Sequence, residues 1–299
     1  MVLMKEGHTI KRFSFKAGKV IELHNIDCMA GMDLFPDKHF DVVVTSPPYN
    51  LGVSYDVYDD TLPREAYLNW LENVAIKIKR KMKDNGSFFL NIGSSPSLPW
   101  GPFEVVSKLR PHFELQNVIH WIKSIYVENE SYDVKVALNV GHYKPINSRR
   151  FLNQNHEHIF HLTKSGKVPI DRLAIGVPYK DNGNSRRWKN GHNGIRCRGN
   201  CWYVPYKTIS SRDRQRPHPA TFPLEVAENC IRLHGISDEA KVLDPFMGIG
   251  NTSLACVKLG VNCVGFEIDS GYFETNLQII ESDANYLALS DIERDTNSF

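Results

Sequence analysis

Short apolar runs alternate with amphipathic stretches over most of the chain. Val20–Asn25 and Phe40–Thr45 are β-branched or apolar runs closed by polar or turn residues, the pattern of strands buried on both faces of a parallel sheet. From Pro63 onward, Tyr67, Trp70, Leu71, Val74, Ile78 and Met82 recur at three- and four-residue spacing, which predicts a helix opened by the proline and ended by Asn85-Gly86. Ser87–Ile92 reads as the next strand, Pro102–Arg110 as a short helix and Leu115–Trp121 as another strand. From about Val127 to Arg150 the pattern dissolves, and it returns at Glu157–Thr163. Residues 167–216 hold no sustained period and are rich in Gly, Asn and Arg, as expected for an insertion rather than a core layer. Order then resumes with a helix over Leu224–His234, a strand at Lys241–Leu243, a helix from Asn251, a strand at Val261–Phe266 and a helix to about Ile280. Strand and helix alternating in this way predict an α/β fold with a doubly wound sheet. The acidic stretch from Ser282 to Phe299 is expected to be peripheral.

Composition narrows the class without changing that picture. With 299 residues, 41% hydrophobic, 23% charged and a mean hydropathy of −0.35, the chain is no collagen, coiled coil or disordered tail. No apolar run approaches the roughly 20 residues that span a bilayer. The opening MVLMKEGHTIKRF lacks the features of a signal peptide, so a cytoplasmic protein without a membrane partner is expected. Six cysteines in this length do not make a disulfide scaffold. Cys197 and Cys201 sit four apart near His192 and His218, but one Cys pair without a second is read as ordinary loop cysteines, and no metal is assigned.

Charge changes the picture more. The net charge of +2 hides a split: residues 141–216 hold 16 Lys and Arg against 4 acids, or +12, and the remainder 20 against 30, or −10. The basic residues are interleaved with Trp188, Trp202, Tyr203 and Tyr206 and with several glycines, a composition suited to phosphate contacts and to stacking or groove-inserted side chains. Nucleic acid is therefore the expected partner.

Two motifs carry chemistry, each where a strand ends. Thr45-Ser46-Pro47-Pro48-Tyr49-Asn50 follows the strand at Phe40, and its consecutive prolines predict a stiff extended turn at the edge where doubly wound sheets bind ligands. Leu243-Asp244-Pro245-Phe246-Met247-Gly248-Ile249-Gly250-Asn251-Thr252 is a strand, Gly-x-Gly turn and helix start, and Glu267 ends the next strand 17 residues past Gly250. Glycines there admit close approach of a nucleoside, and an acid so placed grips ribose hydroxyls. The third glycine of a dinucleotide fingerprint is absent near Ser253, which argues against NAD.

In these residues the chain resembles the amino DNA methyltransferases, which methylate the exocyclic nitrogen of cytosine or adenine with S-adenosylmethionine. Ser46-Pro47-Pro48-Tyr49 matches that family's [DNS]-P-P-[YFW] motif, and Phe246-Met247-Gly248-Ile249-Gly250 its F-x-G-x-G motif. The order of catalytic motif, variable region and cofactor loop resembles the β-class, permuted branch. Asn25–Cys28, Asp84–Asn91, Arg150-Phe151, His156-Glu157, Lys164 and His218–Pro223 extend the match, so that it covers roughly residues 17–282.

The resemblance implies a circularly permuted, Rossmann-like, mostly parallel sheet with an inserted target-recognition region. Its implied division is a catalytic half over 1–150, a basic region with target recognition over 151–216 that begins near 125 at the earliest, a cofactor-binding half of the same domain over 217–282 and a tail over 283–299. It makes Ser46, Pro47, Pro48 and Tyr49 catalytic, and puts Asp27, Cys28, Asp244, Phe246, Gly248, Gly250, Asn251, Thr252 and Glu267 around S-adenosylmethionine. On the residues alone, Asp27 also reads as a helix or turn cap, Cys28 as core, and Asn251 and Thr252 as the start of a helix. Arg186, Arg187, Lys189, Arg196, Arg198, Arg212 and Arg214 are the expected DNA contacts. Ser at the first motif position goes mostly with cytosine N4, which implies a site-specific methyltransferase acting on a flipped base of duplex DNA, in a restriction–modification system with a cognate endonuclease. Adenine N6 is the alternative, and a non-catalytic DNA-binding protein of the same fold is the second. Both a monomer and a homodimer fit this branch.

Overall fold

The computed structural model describes residues 2–5, 8–14, 18–53, 57–131, 134–141, 147–179, 194–205 and 221–286. The strands are β1 (Val2–Lys5), β2 (His8–Ser14), β3 (Val20–Asn25), β4 (Phe40–Thr45), β5 (Met82–Ile92), β6 (Glu114–Ile122), β7 (Ile125–Ser131), β8 (Val134–Val140), β9 (His156–Thr163), β10 (Val177–Pro178), β11 (Ile195–Arg196), β12 (Cys201–Tyr203), β13 (Lys241–Asp244) and β14 (Asn262–Glu267). The helices are α1 (Cys28–Asp33), α2 (Arg64–Lys81), α3 (Gly101–Leu109), α4 (Leu224–His234), α5 (Asn251–Leu259) and α6 (Ser270–Tyr286).

Ten strands form one mixed sheet in the order β1-β2-β3-β14-β13-β4-β5-β9-β6-β12. Five of its nine pairings are parallel, and the four consecutive ones from β3 to β5 form the centre. Central strands are buried on both faces, which explains their unbroken apolar runs: Val42, Val43 and Val44 of β4 are all buried. One face carries α1, α2 and α3 through Tyr67, Leu71, Val74 and Val105. The other carries α4, α5 and α6 through Ala227, Ile231, Leu254 and Phe273. The doubly wound architecture expected from the alternation is present.

Local chemistry sets several boundaries. Asp27 caps α1, its Oδ1 accepting from Met29 N at 2.9 Å and Ala30 N at 3.2 Å. The last turn of α2 carries Lys79, Arg80 and Lys81, the sign that a helix C-terminus favours.

Several sequence expectations need correction. Asn85-Gly86 does not end α2: the helix stops at Lys81 and Met82 is already extended, because it pairs with Phe40 and opens β5. The stretch after Val127 is not patternless but a hairpin, β7 with β8, whose Tyr126, Val127 and Leu138 are exposed. Residues 167–216 do contribute to the core, since β12 pairs with β6 and Val168, Ile175, Trp202 and Val204 are buried. Trp202 is therefore no groove-inserted side chain; it is 0% exposed, and Trp121 Nε1 donates to the Val204 carbonyl beside it at 2.8 Å. Finally, β1 and β2 extend the sheet antiparallel from β3, ahead of the first strand read from sequence.

Candidate active site

Because β13 pairs in parallel with β4, Val242 opposite Val42 and Leu243 opposite Val43, the two motif loops leave the sheet side by side. Asp244 ties them together. Its Oδ1 accepts from Thr45 Oγ1 at 2.6 Å and from Phe246 N at 3.1 Å, and its Oδ2 from Thr252 Oγ1 at 2.5 Å. Burial pushes its pKa up to about 6 against the pull of those donors. Asp244 and Thr252 line the pocket, but their polar atoms are engaged with each other and with Thr45 of β4.

The Ser46–Tyr49 turn is held from several directions. Tyr67 of α2 donates its hydroxyl to the Pro48 carbonyl at 2.8 Å, adding a tertiary tie to the two fixed φ angles. Tyr49 Oη donates to Glu157 Oε2 at 2.9 Å, and Asn91 Nδ2 donates to Tyr49 Oη at 2.7 Å and to Glu157 Oε2 at 2.6 Å. Lys123 pairs with the other oxygen of Glu157. Ser46 Oγ lies 2.6 Å from Tyr49 Oη. With the tyrosine proton committed to the carboxylate, the Ser46 hydroxyl is the donor in that bond; Asn91 Nδ2 donates to its Oγ at 3.4 Å, which leaves one further lone pair to accept. Burial works to raise the Glu157 pKa, but the Lys123 ammonium and the Asn91 and Tyr49 donors outweigh it and hold the carboxyl below its ordinary value. The sequence patterns give no role to Asn91, Lys123 or Glu157. Asn91 and Glu157 fall within matched motif segments, whereas nothing local marks Lys123.

The second loop is built from backbone. Gly248 and Gly250 have φ of 51° and 88°, and a Cβ on Gly250 would lie 2.0 Å from Asn276 Oδ1. Glu267 accepts from Gly248 N at 2.9 Å and from Asp269 N at 2.8 Å, so it braces the turn while facing the pocket. Burial without a cationic partner pushes its pKa up to about 7. Asn251 Nδ2 donates to the Phe222 carbonyl at 2.6 Å, at the start of α5. Cys28 is buried, its thiol pKa raised by that burial, and it lines the pocket with Asp27 and Phe246.

One cavity therefore joins every residue expected to be catalytic to all but one of those expected around the cofactor; Gly250 shapes the turn without lining it. Its lining holds Asp27, Asp244, Glu267 and Asp269, with no Lys, Arg or His among the described residues. Such a site disfavours phosphates and suits a cationic nucleoside.

The expected DNA contacts are not gathered in the same way. Arg196 is exposed, with Nη1 donating to the Cys197 carbonyl at 3.1 Å. Arg198 Nε donates to the Ile175 carbonyl at 3.0 Å and Nη1 lies 3.8 Å from Glu225. Arg186, Arg187, Lys189, Arg212 and Arg214 lie outside the described residues, as do Trp188, Tyr206, His192 and His218. Cys197 and Cys201 carry free thiols.

A doubly wound sheet with a Ser-Pro-Pro-Tyr turn beside an acidic nucleoside pocket defines a group-transfer enzyme with an adenosine-type cofactor. The DNA methylase family that covers N6 and N4 enzymes matches residues 40–279, and the chain belongs to it. Among curated relatives, the type II methyltransferase M.ScaI of Streptomyces caespitosus is 28% identical over 281 residues, covering 89% of this chain and 83% of the relative. The DNA adenine methyltransferase YhdJ of Escherichia coli K12 is 25% identical over 293 residues, covering 95% and 90%. In fold, the cytosine-N4-specific PvuII DNA methyltransferase superposes with a TM-score of 0.64 at 17% identity, covering 90% of this chain and 93% of that one.

Proposed function

We propose that this DNA methyltransferase acts on the exocyclic N4 of cytosine within a short duplex sequence, as the modification enzyme of a restriction–modification pair. The supporting observation is the Ser46 hydroxyl, oriented as an acceptor by the Tyr49–Glu157–Lys123 chain at the mouth of an acidic pocket. S-adenosylmethionine is the cofactor, and the residues present fit it. Glu267 presents a carboxylate to ribose hydroxyls, Phe246, Trp70 and Ile268 offer an apolar wall to adenine, and the excess of acids complements a sulfonium. When bound, the cofactor supplies an electrophilic methyl carbon.

An exocyclic amine is a poor nucleophile because its lone pair is delocalised into the ring. Ser46 Oγ and the Pro47 carbonyl accept hydrogen bonds from it, draw the lone pair out of conjugation and fix its direction. Tyr49, pinned through its hydroxyl, offers its ring face to a base flipped from the duplex. An Asp at position 46 would put a second carboxylate beside Glu157, so the network as built favours the neutral acceptor present, the residue that the family resemblance links with cytosine N4. Residues 141–216, at +12, supply the DNA affinity. The likeness to YhdJ over nearly the whole chain favours adenine N6 as the second reading. Digesting methylated duplex DNA to nucleosides and identifying the product by mass spectrometry tests both: N4-methylcytosine is expected, and N6-methyladenine as the only product overturns the cytosine assignment.

A further inference from the structure

A second cluster of ligating side chains lies on the other face of the strand that carries Glu157. The antiparallel register sets His120 of β6 opposite His158 of β9, and His156 follows two residues before His158 on the same face. One nitrogen from each of the three rings lies within 4.8 Å of the other two. Ring centroids are 5.2 Å apart for His120 and His158, 5.1 Å for His156 and His158, and 6.0 Å for His120 and His156. His158 is 9% exposed, packed between Phe103 and Phe160, and its Nδ1 is buried without a hydrogen-bond partner among the described residues. A buried nitrogen left unpaired is costly, and a ligand that uses its lone pair removes the cost.

We propose that His120, His156 and His158 bind one divalent transition-metal ion of the zinc class, leaving a fourth position to water. Three neutral imidazoles without a carboxylate suit zinc, copper or nickel and do not suit magnesium or calcium. Zn–N bonds of about 2.0–2.1 Å bring ligand nitrogens to about 3.4 Å from one another, which rotation of the half-buried His120 and His156 rings toward His158 provides. Glu157 projects to the opposite face and is paired with Lys123, so the metal does not compete for it. The ion clips β6 to β9 at the point where β9 presents Glu157 to Tyr49. This role is independent of the base that the enzyme methylates.

The test uses the full chain without a histidine tag, stripped of metal by chelation and titrated with Co²⁺ and Zn²⁺. One equivalent of Co²⁺ should give a saturable ligand-field absorption band, and one equivalent of Zn²⁺ should displace it and raise Tm. His158→Gln and, at the more exposed edge, His120→Gln should abolish the band and the rise in Tm while circular dichroism shows a folded protein. The double variant Cys197→Ser, Cys201→Ser should keep both. Absence of a one-equivalent band in the parent chain, its survival in a folded His120→Gln variant, or its loss in the cysteine variant would each overturn the proposal.

Discussion

The two loops that meet in the active site solve the same problem by different means. The Ser46–Tyr49 turn is made rigid by proline and wired through side chains: hydroxyl to hydroxyl to carboxylate to ammonium, with partners from β5, β9 and the residue just past β6. The Asp244–Thr252 loop is made from backbone: two glycines at positive φ, an amide given to Glu267, and a buried aspartate that accepts three hydrogen bonds. A side-chain network is specific and fails one function at a time. A backbone cradle tolerates changes of chemistry but not of volume.

The comparison is broken most sharply at Ser46. Ser46→Ala removes the acceptor and leaves the cradle untouched, so kcat should fall about 10²–10³-fold while calorimetry finds unchanged cofactor affinity. An equal loss of both would mean that the loops do not act separately. Gly250→Ala is the mirror case: a Cβ 2.0 Å from Asn276 at φ 88° should lower unfolding free energy in urea by about 2–3 kcal/mol. Glu157→Gln keeps the shape of the network but removes the carboxylate charge beside the half-buried Lys123 and weakens the hold on the tyrosine proton. The expected cost is about 1–3 kcal/mol, read as a lower kcat with little change in the cofactor KM. Equal effects on both would deny its link to the catalytic turn alone.

The smallest effect sharpens the cradle's side. Glu267 has a carboxyl pKa raised to about 7, so in the ligand-free fold it is largely neutral below that pH. A raised acid pKa favours the fold at low pH, and this contribution is lost as pH climbs from the ordinary value of 4.5 through about 7. Hydroxyl donors of a ribose favour the ionised form, so cofactor affinity should rise with pH between 6 and 8, by at most about tenfold per unit. Titration calorimetry at a series of pH values checks it, and Glu267→Gln should flatten the profile.

What the sequence discloses follows the same division. β3, β4, β13, β14 and both loops are readable because buried parallel strands are short runs dominated by apolar and β-branched residues and their turns carry Pro and Gly in the chain itself. Lys123 is not, since its part depends on β6 pairing with β9 across 34 residues. Trp202 was misread because aromatic residues in a basic segment look alike whether they stack on a base or fill a core. The β7–β8 hairpin pairs only with itself in the described fold, and Tyr126, Val127 and Leu138 are exposed. The end of α2 lies before Asn85-Gly86 because a long-range register, Met82 against Phe40, stops the helix, and Asn-Gly falls instead in the irregularity between the Met82–Phe40 and Ser87–Val42 pairs.

The strand order also constrains how the chain is made. β3 and β4, synthesised early, are not neighbours; β14 and β13, synthesised some two hundred residues later, fill the gap between them. Until residue 267 leaves the ribosome, the nascent sheet is two fragments, each with an apolar edge awaiting a partner. Such late closure predicts slow, largely post-translational folding, and a chain truncated before Lys241 that aggregates rather than folds as a half-domain.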